Sequence, residues 1–386
     1  MADGSMKKLP QDVMIYIFFR LPVKSLMRFK RVTKSWYSLI QSSSFISLHL
    51  NSTTTIKDEF ILYKRSFKER EVFKNVLSFL IGNAEDDLDP ISSDQDVPHL
   101  STRYSSISHQ LIGPCHGLIV LTDSTNFVLL NPTTRNYKLL PPSPFAYPRG
   151  FYRSICGVGF GYDSARKIYK VVRISEVYGN RPFDDPSVME WNGEVYDSST
   201  DSWRELAYVN QELPWPYGFP YSEMFYNEAF HWNAHRNMVV ILCFDISTEI
   251  FRIMQVPETC ASYDEKHHSL LVLDDSLTFI CYPDPRRRSS PVQDKIDIWT
   301  LKEYNVNDSW IKKYTIRSPP IDFPLAVWKD CLLLLQNKSG FLISYDLNSN
   351  EVKEFKLDGY PGSMRVLVYK ECMTPIPTGS TRVQKL

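Results

Sequence analysis

The sequence predicts a small all-α module at the N-terminus, followed by a large all-β domain of the β-propeller class. Three observations support this prediction. The first fifty residues contain three short apolar helical segments bounded by proline or threonine. Most of the remaining chain is a series of short strand pairs separated by polar turns. These pairs recur about every 45 residues, which is the size of a four-stranded propeller blade.

Residues 6–50 form the predicted helical module, and its apolar segments run from Leu9 to Ile40. Pro10 can open the first helix, because its missing N–H costs nothing at the first helical position. Asp12 then lies in the first turn, where a carboxylate suits the positive end of the helix dipole. The first helix is therefore predicted to begin at this proline.

Two further helices are predicted in the same module. Leu21-Pro22 ends the first helix, Pro22 opens the second, and Thr33 is a candidate N-cap for the third. A unit of this size has no stable core by itself. Its excess apolar surface therefore predicts cover by a partner protein, by the rest of the chain, or by both.

The charge of the module leaves two classes of partner open. Its first fifty residues carry about +6, which would suit the phosphate contacts of a DNA-binding helix-turn-helix. The first helix, however, is apolar on nearly every side, whereas a helix-turn-helix needs only one buried face per helix. The pattern favours a partner-binding module over a DNA reader, and the rest of the chain carries about −6.

Repeated β-hairpins dominate the chain from residue 111 onward. Each consists of a strand, a polar turn and a second strand that starts with a large side chain. The first strands begin at Phe127, Glu194, Ile241, Ile296 and Phe341. Because propeller blades bury both faces against their neighbours, we interpret residues 55–378 as a kelch-like β-propeller of about six blades. Seven or eight blades and a pair of β-sandwiches are the alternatives, and residues 379–386 are predicted to be a flexible tail.

Composition and motifs argue against a membrane protein, a secreted protein and an enzyme. No apolar run approaches the roughly 18 residues of a membrane span, and no cleavage pattern follows the apolar stretch near the N-terminus. The 7 scattered cysteines, without a CxxC pair, are typical of a reduced cytosolic or nuclear chain. Serine nucleophile elbows, HExxH and P-loops are absent from the sequence. We expect no catalytic residue, no metal ion and no cofactor.

Two patterns that suggest binding sites have a structural interpretation. Gly157-Val-Gly-Phe-Gly161 has the glycine spacing of a dinucleotide fingerprint, but β-rich sequence follows it where a helix is required. We therefore interpret these glycines as positions of close strand packing. His231 and His235 have the spacing of a helical metal site, but they lie in strand-like sequence without an ordered Cys or acidic partner. A structural role is favoured for both histidines.

A long ordered pattern runs through the helical module. It consists of Leu9-Pro-x-Asp12, Leu21-Pro-Val-Lys-Ser-Leu26, Arg28-Phe-Lys30, Val32 and Lys34-Ser-Trp36. This pattern resembles the plant F-box. The resemblance implies docking on a Skp-type adaptor of an SCF ubiquitin ligase, with a cullin-type scaffold and a RING subunit in the same complex. The residues expected to bind the adaptor are Leu9, Pro10, Asp12, Val13, Ile17, Leu21, Pro22, Leu26, Val32 and Trp36.

The β-rich part extends the resemblance over nearly the whole chain. It carries Cys115-His-Gly-Leu-Ile-Val120, Asn131-Pro-Thr-Thr, Phe230-His-Trp232 and Phe244-Asp-Ile-Ser-Thr-Glu249. These stretches are similar to the plant F-box-associated domain. The resemblance implies a substrate-receptor subunit that holds a target protein and does no chemistry itself.

A narrower likeness rests on Asn75-Val-Leu-Ser-Phe79, His109-Gln-Leu-Ile-Gly-Pro-Cys115 and Ala326-Val-Trp-Lys-Asp330. These residues are similar to the S-locus F-box proteins of the nightshade type. That likeness implies a protein of the pollen-tube cytosol, with the nucleus as a second compartment, which recognises non-self S-RNases for ubiquitination in self-incompatibility. A receptor for another cytosolic target, a propeller enzyme and a DNA-binding regulator remain the alternatives.

The narrower likeness also predicts where a target would bind. S-RNases, as the resemblance implies, are generally basic, whereas the propeller part of this chain is acidic. Complementary charge speeds encounter and discriminates among partners. We therefore expect acidic loops to contribute to target choice, and the candidates are Asp86, Asp87, Asp89, Asp184 and Asp185.

Overall fold

The structure is a computed structural model, and it contains helices followed by antiparallel sheets. The residues that it describes are 10–50, 59–69, 72–82, 88–90, 94–96, 110–123, 125–145, 151–179, 190–206, 209, 212–217, 223–262, 266–283, 295–317, 321–329 and 331–385. Within them, four short α-helices precede six sheets of four or five strands each. The predicted all-α module and six-bladed propeller are both confirmed.

The helical module contains one helix more than the sequence predicted. Its helices are α1 (Gln11–Phe19), α2 (Val23–Phe29), α3 (Lys34–Gln41) and α4 (Ser43–Leu50). Thr33 caps α3 as predicted, because its hydroxyl accepts a hydrogen bond of 3.1 Å from the Trp36 N–H. The prediction of three helices is wrong because Ser42 starts a fourth, accepting a 3.3 Å hydrogen bond from the Phe45 N–H.

The core of the module is shared with the far end of the chain. Its buried members are Phe18, Val23, Leu26, Ile40, Phe45, Ile46, Cys372 and Met373. The last two follow the final inner strand of the propeller, so the propeller supplies part of the cover that the helices need. The sequence predicted that a partner protein, the rest of the chain or both would cover the apolar surface of the helices, and the rest of the chain covers part of it.

The first three blades follow the chain in order. Blade 1 contains β1 (Glu59–Glu69), β2 (Val72–Gly82), β3 (Leu88–Pro90) and β4 (Gln95–Asp96). Blade 2 contains β5 (Gln110–Cys115), β6 (Leu118–Thr122), β7 (Phe127–Asn131) and β8 (Asn136–Leu139). Blade 3 contains β9 (Phe151–Asp163), β10 (Ile168–Gly179), β11 (Glu190–Asp197) and β12 (Ser202–Glu205).

The remaining blades continue the same order. Blade 4 contains β13 (Trp215–Pro216), β14 (Glu223–Tyr226), β15 (Ala229–His235), β16 (Val239–Asp245) and β17 (Phe251–Gln255). Blade 5 contains β18 (Lys266–Leu273), β19 (Ser276–Pro283), β20 (Lys295–Leu301) and β21 (Trp310–Arg317). Blade 6 contains β22 (Ile321–Trp328), β23 (Leu332–Asn337), β24 (Phe341–Asp346) and β25 (Val352–Asp358).

The ring closes inside blade 1. Strand β26 (Arg365–Lys370) pairs antiparallel with β1, placing Phe60 opposite Tyr369. Blade 1 therefore takes its innermost strand from the end of the chain and its other strands from the beginning. This pairing joins two segments about 300 residues apart, and it fixes the blade number at six.

The C-terminal segment differs from the flexible tail predicted over residues 379–386. Strand β27 (Gln384–Lys385) adds to the outer edge of blade 2 by pairing with β8. Upstream of β27, the Ser380 hydroxyl and the Thr381 N–H donate to one carboxylate oxygen of Asp201, at 2.8 and 3.0 Å. Polar composition suggested a mobile end, but hydrogen bonds to blades 2 and 3 hold residues 380–385.

Repeated turn chemistry explains why the hairpins form where the sequence placed them. Asn131, Asp197, Asp245 and Asp346 each end a strand, and each side-chain oxygen accepts backbone N–H bonds from the turn that follows. In such Asx turns the side-chain oxygen accepts hydrogen bonds from backbone N–H groups that have no neighbouring strand to bond to at the turn. The fifth residue of each turn adopts a left-handed conformation, and these residues are Arg135, Asp201, Glu249 and Asn350.

The glycine pattern of β9 serves close packing, as predicted. A Cβ on Gly157, Gly159 or Gly161 would lie 3.2, 2.5 or 2.6 Å from the nearest ring atom of blade 4. The rings concerned are those of Trp232, Phe230 and Phe225. The absence of side chains at these three positions therefore lets blade 4 pack directly on the inner strand of blade 3.

Candidate functional site

The helical module exposes a set of apolar side chains that its own core does not use. Val13 and Ile17, one turn apart on α1, are each 41% exposed, and Val32 between α2 and α3 is 57% exposed. Pro10, Asp12 and Pro22 are also exposed. Exposed apolar residues concentrated on one small module are typical of a protein-interaction surface. We name these six residues the exposed module surface.

Other residues of the predicted adaptor-binding set lie elsewhere. Leu26 is fully buried in the module core, and Leu21 and Trp36 pack against that core. The Trp36 ring meets the Phe18 ring edge-on, with centroids 5.2 Å apart. These three side chains hold the helices together, whereas Leu9 lies outside the described residues.

The module is held against the propeller by close contacts at one face. A Cβ at Gly117 would lie 2.3 Å from the Cys372 Cβ, so the turn between β5 and β6 abuts the shared core. The Lys370 ammonium also donates to the Leu50 carbonyl oxygen, at 3.4 Å. We call the side of the propeller that carries these contacts the helical face.

Strand direction places other segments relative to this face. The ring of His116, next to Gly117, packs at a tilt against the Tyr162 ring with centroids 4.6 Å apart, so the end of β9 also lies at the helical face. Strand β10 starts there and ends at Gly179, which pairs with Phe151 at the beginning of β9. Gly179 therefore lies at the opposite side of the propeller, which we call the distal face.

Four of the five predicted target-binding acids lie outside the described residues, and the fifth, Asp89, lies in the short strand β3. Asp86 and Asp87 lie outside them, between Gly82 and Leu88, which pair near the helical-face end of blade 1. Asp89 is opposite Ile81 in β3. Asp184 and Asp185 also lie outside, in the stretch that follows Gly179 at the distal face. The strand ends that flank the two acidic stretches thus lie at opposite faces.

Of the two histidines for which the sequence favoured a structural role, His231 is buried and His235 is half-buried, and a third histidine, His268, is also buried. His231 Nε2 hydrogen-bonds with the Tyr304 hydroxyl at 2.9 Å, and His268 Nδ1 hydrogen-bonds with the Tyr217 hydroxyl at 2.9 Å. Burial lowers the pKa of His231 to about 4 and that of His268 to about 3. Both rings are therefore neutral at physiological pH and act as hydrogen-bonding core residues.

A pH dependence of stability follows from His231. Its pKa is about 4 in the folded chain and roughly 6.5 in the unfolded chain, so the unfolded state takes up more protons as pH falls between these values. We expect this residue to lower the free energy of unfolding by about 2 kcal/mol between pH 7 and pH 5. Urea denaturation of the wild type and of His231→Gln at both pH values measures it.

The comparison with His231→Gln isolates this contribution from other titrating groups. Burial raises the pKa of Glu223 to about 8, so that carboxyl stabilises the folded state as pH falls and opposes the histidine. The variant should therefore lose about 2 kcal/mol less than the wild type on going from pH 7 to pH 5. Equal losses in the two proteins would show that His231 is not a neutral core residue.

Neither a metal centre nor a membrane span is found in the part of the chain that the structure describes. No group of three or more His, Cys, Asp or Glu side chains there could hold a metal ion. No helix there is long and apolar enough to cross a membrane. The features that remain are the exposed module surface and the propeller behind it.

Comparison with known proteins identifies both parts. Residues 6–48 match the F-box domain, and residues 69–371 match the F-box associated beta propeller domain. The Arabidopsis thaliana F-box protein CPR1 is 29% identical over 93% of this chain and 86% of that protein. The Arabidopsis thaliana F-box protein At3g07870 is 26% identical over 95% of this chain and 92% of that protein.

Solved structures resemble the propeller only distantly. An oligogalacturonate lyase in complex with manganese is 10% identical, covers 78% of this chain and 81% of its own, and has a TM-score of 0.40. That likeness supports no inference about activity. The family models, by contrast, span most of the sequence, and one of them matches the helices and the other the blades. The chain therefore belongs to the plant F-box proteins that carry an F-box-associated β-propeller.

Proposed function

We propose that this protein is the substrate-receptor subunit of an SCF-type ubiquitin ligase. The observation that carries the proposal is the exposed module surface, a set of mostly apolar exposed residues on a matched F-box fixed to a large receptor domain. A Skp-type adaptor would cover this surface, and a cullin-type scaffold and a RING subunit would join through the adaptor. The receptor contributes proximity and orientation and no reacting group.

The core that the module and the propeller share supports this role. Cys372 and Met373 are buried in the module core although they belong to the end of the propeller chain. A target held on the propeller would therefore keep a fixed distance from the adaptor. Fixed geometry lowers the entropic cost of bringing a target lysine to the ubiquitin-charged enzyme.

The adaptor proposal predicts the effect of charge on the exposed module surface. Val13→Asp combined with Ile17→Asp should weaken adaptor binding at least about 100-fold, because two carboxylates would be desolvated in an apolar interface. Both positions are 41% exposed, so the fold should be retained. Titration calorimetry of the full chain with a purified Skp-type adaptor measures the loss, and circular dichroism checks the fold.

A valine on the propeller provides the matched control. Val352 on β25 is 51% exposed, and Val352→Asp should bind the adaptor like the wild type. Unchanged binding by the double variant would contradict the proposed surface. Loss of binding by Val352→Asp as well would show that the adaptor contacts the propeller.

We infer further that the target is a basic protein, and the narrower resemblance suggests non-self S-RNases in the pollen-tube cytosol, with the nucleus as a second compartment. The acidic balance of the propeller supports this inference. Because the helical face carries the F-box, a target on the distal face would be clear of the adaptor. Among the candidate acids, Asp184 and Asp185 follow a strand that ends at that face.

Charge reversal tests the choice of face. Asp184→Lys with Asp185→Lys should weaken capture of a basic S-RNase at least about tenfold in low salt, since exposed charge pairs are strong only when screening is weak. Asp86→Lys with Asp87→Lys makes the same charge change between Gly82 and Leu88, two strand ends that pair near the helical face, and should have a smaller effect. Equal capture by the first variant and the wild type would rule out these acids as determinants of target choice.

A further inference from the structure

A cavity lies at the propeller axis, where the inner strands of all six blades meet. Its volume is about 280 Å³, close to the lower end of the range for small-molecule pockets. Most of its wall is aliphatic or aromatic, and this part includes Ile112, Val158, Phe160, Leu271, Val327 and Val368. Among the described residues that line it, Glu223 and Arg365 are charged types.

Glu223 belongs to the short strand β14 and is positioned by the neighbouring blade. It pairs with Trp232, and its carboxyl accepts a hydrogen bond from the Val158 N–H of blade 3. The Trp232 indole donates to the carbonyl oxygen of the same valine, at 2.9 Å. The two peptide groups of Val158 therefore hold both the carboxyl and the tryptophan beside it.

The second carboxyl oxygen of Glu223 lacks a partner. Its Oε1 atom is buried and makes no hydrogen bond within the described part of the chain. Leaving a buried polar atom unpaired costs free energy, and such atoms are normally satisfied by protein groups or by ordered water. Because Glu223 lines the cavity, a molecule inside the cavity can supply the missing hydrogen bond.

The wall and the carboxyl both favour an uncharged ligand. An ionised group would lose its hydration against a mostly apolar wall, at a large cost in free energy. The Arg365 guanidinium already donates through Nη1 to the Met364 carbonyl oxygen, at 2.5 Å. Burial raises the pKa of Glu223 to about 8, so this carboxyl is mostly protonated at pH 7 and offers little charge to a cation.

We propose that the axial cavity binds a small uncharged alcohol or phenol with an apolar body. The ligand hydroxyl would hydrogen-bond with Glu223 Oε1. A hydroxyl can accept from a protonated carboxyl and can donate to an ionised one, so it fits either state of Glu223. The apolar body would lie against Ile112, Phe160 and Leu271.

The volume of the cavity sets the size of this ligand. At the roughly 30 Å³ that one water occupies in the liquid, the cavity holds on the order of ten non-hydrogen atoms. 4-Ethylphenol is of that size. In 4-ethyltoluene a methyl group replaces the hydroxyl, so this compound keeps the size and loses the hydrogen bond. The proposal does not depend on the adaptor or on the identity of the target protein.

Ligand-observed NMR titration of the full-length chain compares these two probes. 4-Ethylphenol should bind with a Kd of about 1 mM or tighter. 4-Ethyltoluene should bind at least about tenfold more weakly, because it leaves Glu223 Oε1 without a partner. The ions 4-methylbenzoate and 4-methylbenzylammonium, of similar size, should also bind at least about tenfold more weakly, because each brings a charge into the cavity.

Variants of the cavity wall locate the site. Val327 is half-buried, and Val327→Phe adds bulk to the wall and should weaken binding of 4-ethylphenol at least about tenfold. Glu223→Leu removes the polar partner, so the preference for the phenol over the hydrocarbon should disappear. Val352→Asp on the propeller exterior should change neither result, and thermal melting checks that each variant is folded.

The wild-type chain alone can contradict the proposal. Failure of 4-ethylphenol to bind at about 10 mM would show that water alone fills the cavity and would overturn the proposal. Equal binding of the phenol and the hydrocarbon would do the same, as would tighter binding of either ion. Unchanged binding of 4-ethylphenol by a folded Val327→Phe protein would exclude the axial cavity as the site.

Discussion

Replacing Asp201 with alanine is expected to lower the free energy of unfolding by about 3–5 kcal/mol. Lys138 on blade 2 is fully buried, and its ammonium lies 2.6 Å from the Asp201 carboxylate. The same carboxylate accepts a 2.7 Å hydrogen bond from the Tyr196 hydroxyl. Removing it would leave a buried ammonium without its counter-charge, which is the costly way to break a buried ion pair.

The pKa of the Asp201 carboxyl shows how strongly the surrounding donors stabilise its ionised form. Burial by itself would raise the pKa of Asp201, but hydrogen bonds from Lys138, Tyr196 and the C-terminal segment hold it well below the usual range for an aspartate. Asp201 is therefore ionised in the folded protein over the whole working pH range. Its contribution to stability is present above the pKa of an unfolded aspartate and is lost only in strong acid.

Urea denaturation measures the loss, and digestion by a carboxypeptidase measures a second consequence. Because Ser380 and Thr381 donate to Asp201, the variant should release residues 380–385 and be trimmed faster than the wild type. Asp197→Ala is the control, since the hydrogen bonds that its side chain accepts within the described residues are local to its own turn, and their loss should cost about 1 kcal/mol or less. A cost below about 1 kcal/mol for Asp201→Ala would contradict the buried-pair explanation.

Gly159→Ala is expected to cost about 3 kcal/mol, at the upper end for overpacking in a core. The new methyl group would lie 2.5 Å from the Phe230 ring, which is 2% exposed. Phe230 stacks on Phe244 at 6.2 Å and is tilted against Trp232 at 5.8 Å. Moving it would therefore disturb the core of blade 4.

Two further variants separate the cost of overpacking from the other effects of replacing a strand glycine with alanine. Gly157→Ala changes the same strand in the same way, but its methyl group would lie 3.2 Å from Trp232, so its cost should be clearly smaller. In the double variant with Phe230→Leu, the smaller side chain makes room, and the two costs should fall short of additivity by at least about 1 kcal/mol. If the losses in free energy of unfolding, measured by chemical denaturation, are strictly additive, the methyl group added by Gly159→Ala does not clash with the Phe230 ring.

Local signals in the sequence were sufficient to predict much of this architecture. Proline and Thr33 mark helix boundaries through backbone chemistry that acts within a few residues. Asn131 and Asp197 mark hairpin turns for the same reason, so the repeat spacing and the class of fold could be derived. The fourth helix was missed, although the Ser42 cap was a signal that the sequence contains.

Other features depend on contacts that no local pattern encodes. The pairing of β26 with β1 joins the two ends of the chain, and the hydrogen bonds of Ser380 and Thr381 depend on where Asp201 is folded. The exposed module surface could be predicted only in part, because Leu26 and Val13 are equally apolar in sequence. Only packing shows that the first lies in the core and the second faces outward.

The shared core of the helical module and the strand pairing of blade 1 have a consequence for how the protein is made. Residues 59–69, among the first of the propeller to be synthesised, lack their inner neighbour until residues 365–370 have emerged, and the module core lacks Cys372 and Met373 until the same moment. Pairing over such a separation is slow, and it leaves strand edges exposed in the nascent chain. A chain interrupted before residue 365 therefore leaves both the propeller ring and the core of the F-box module incomplete.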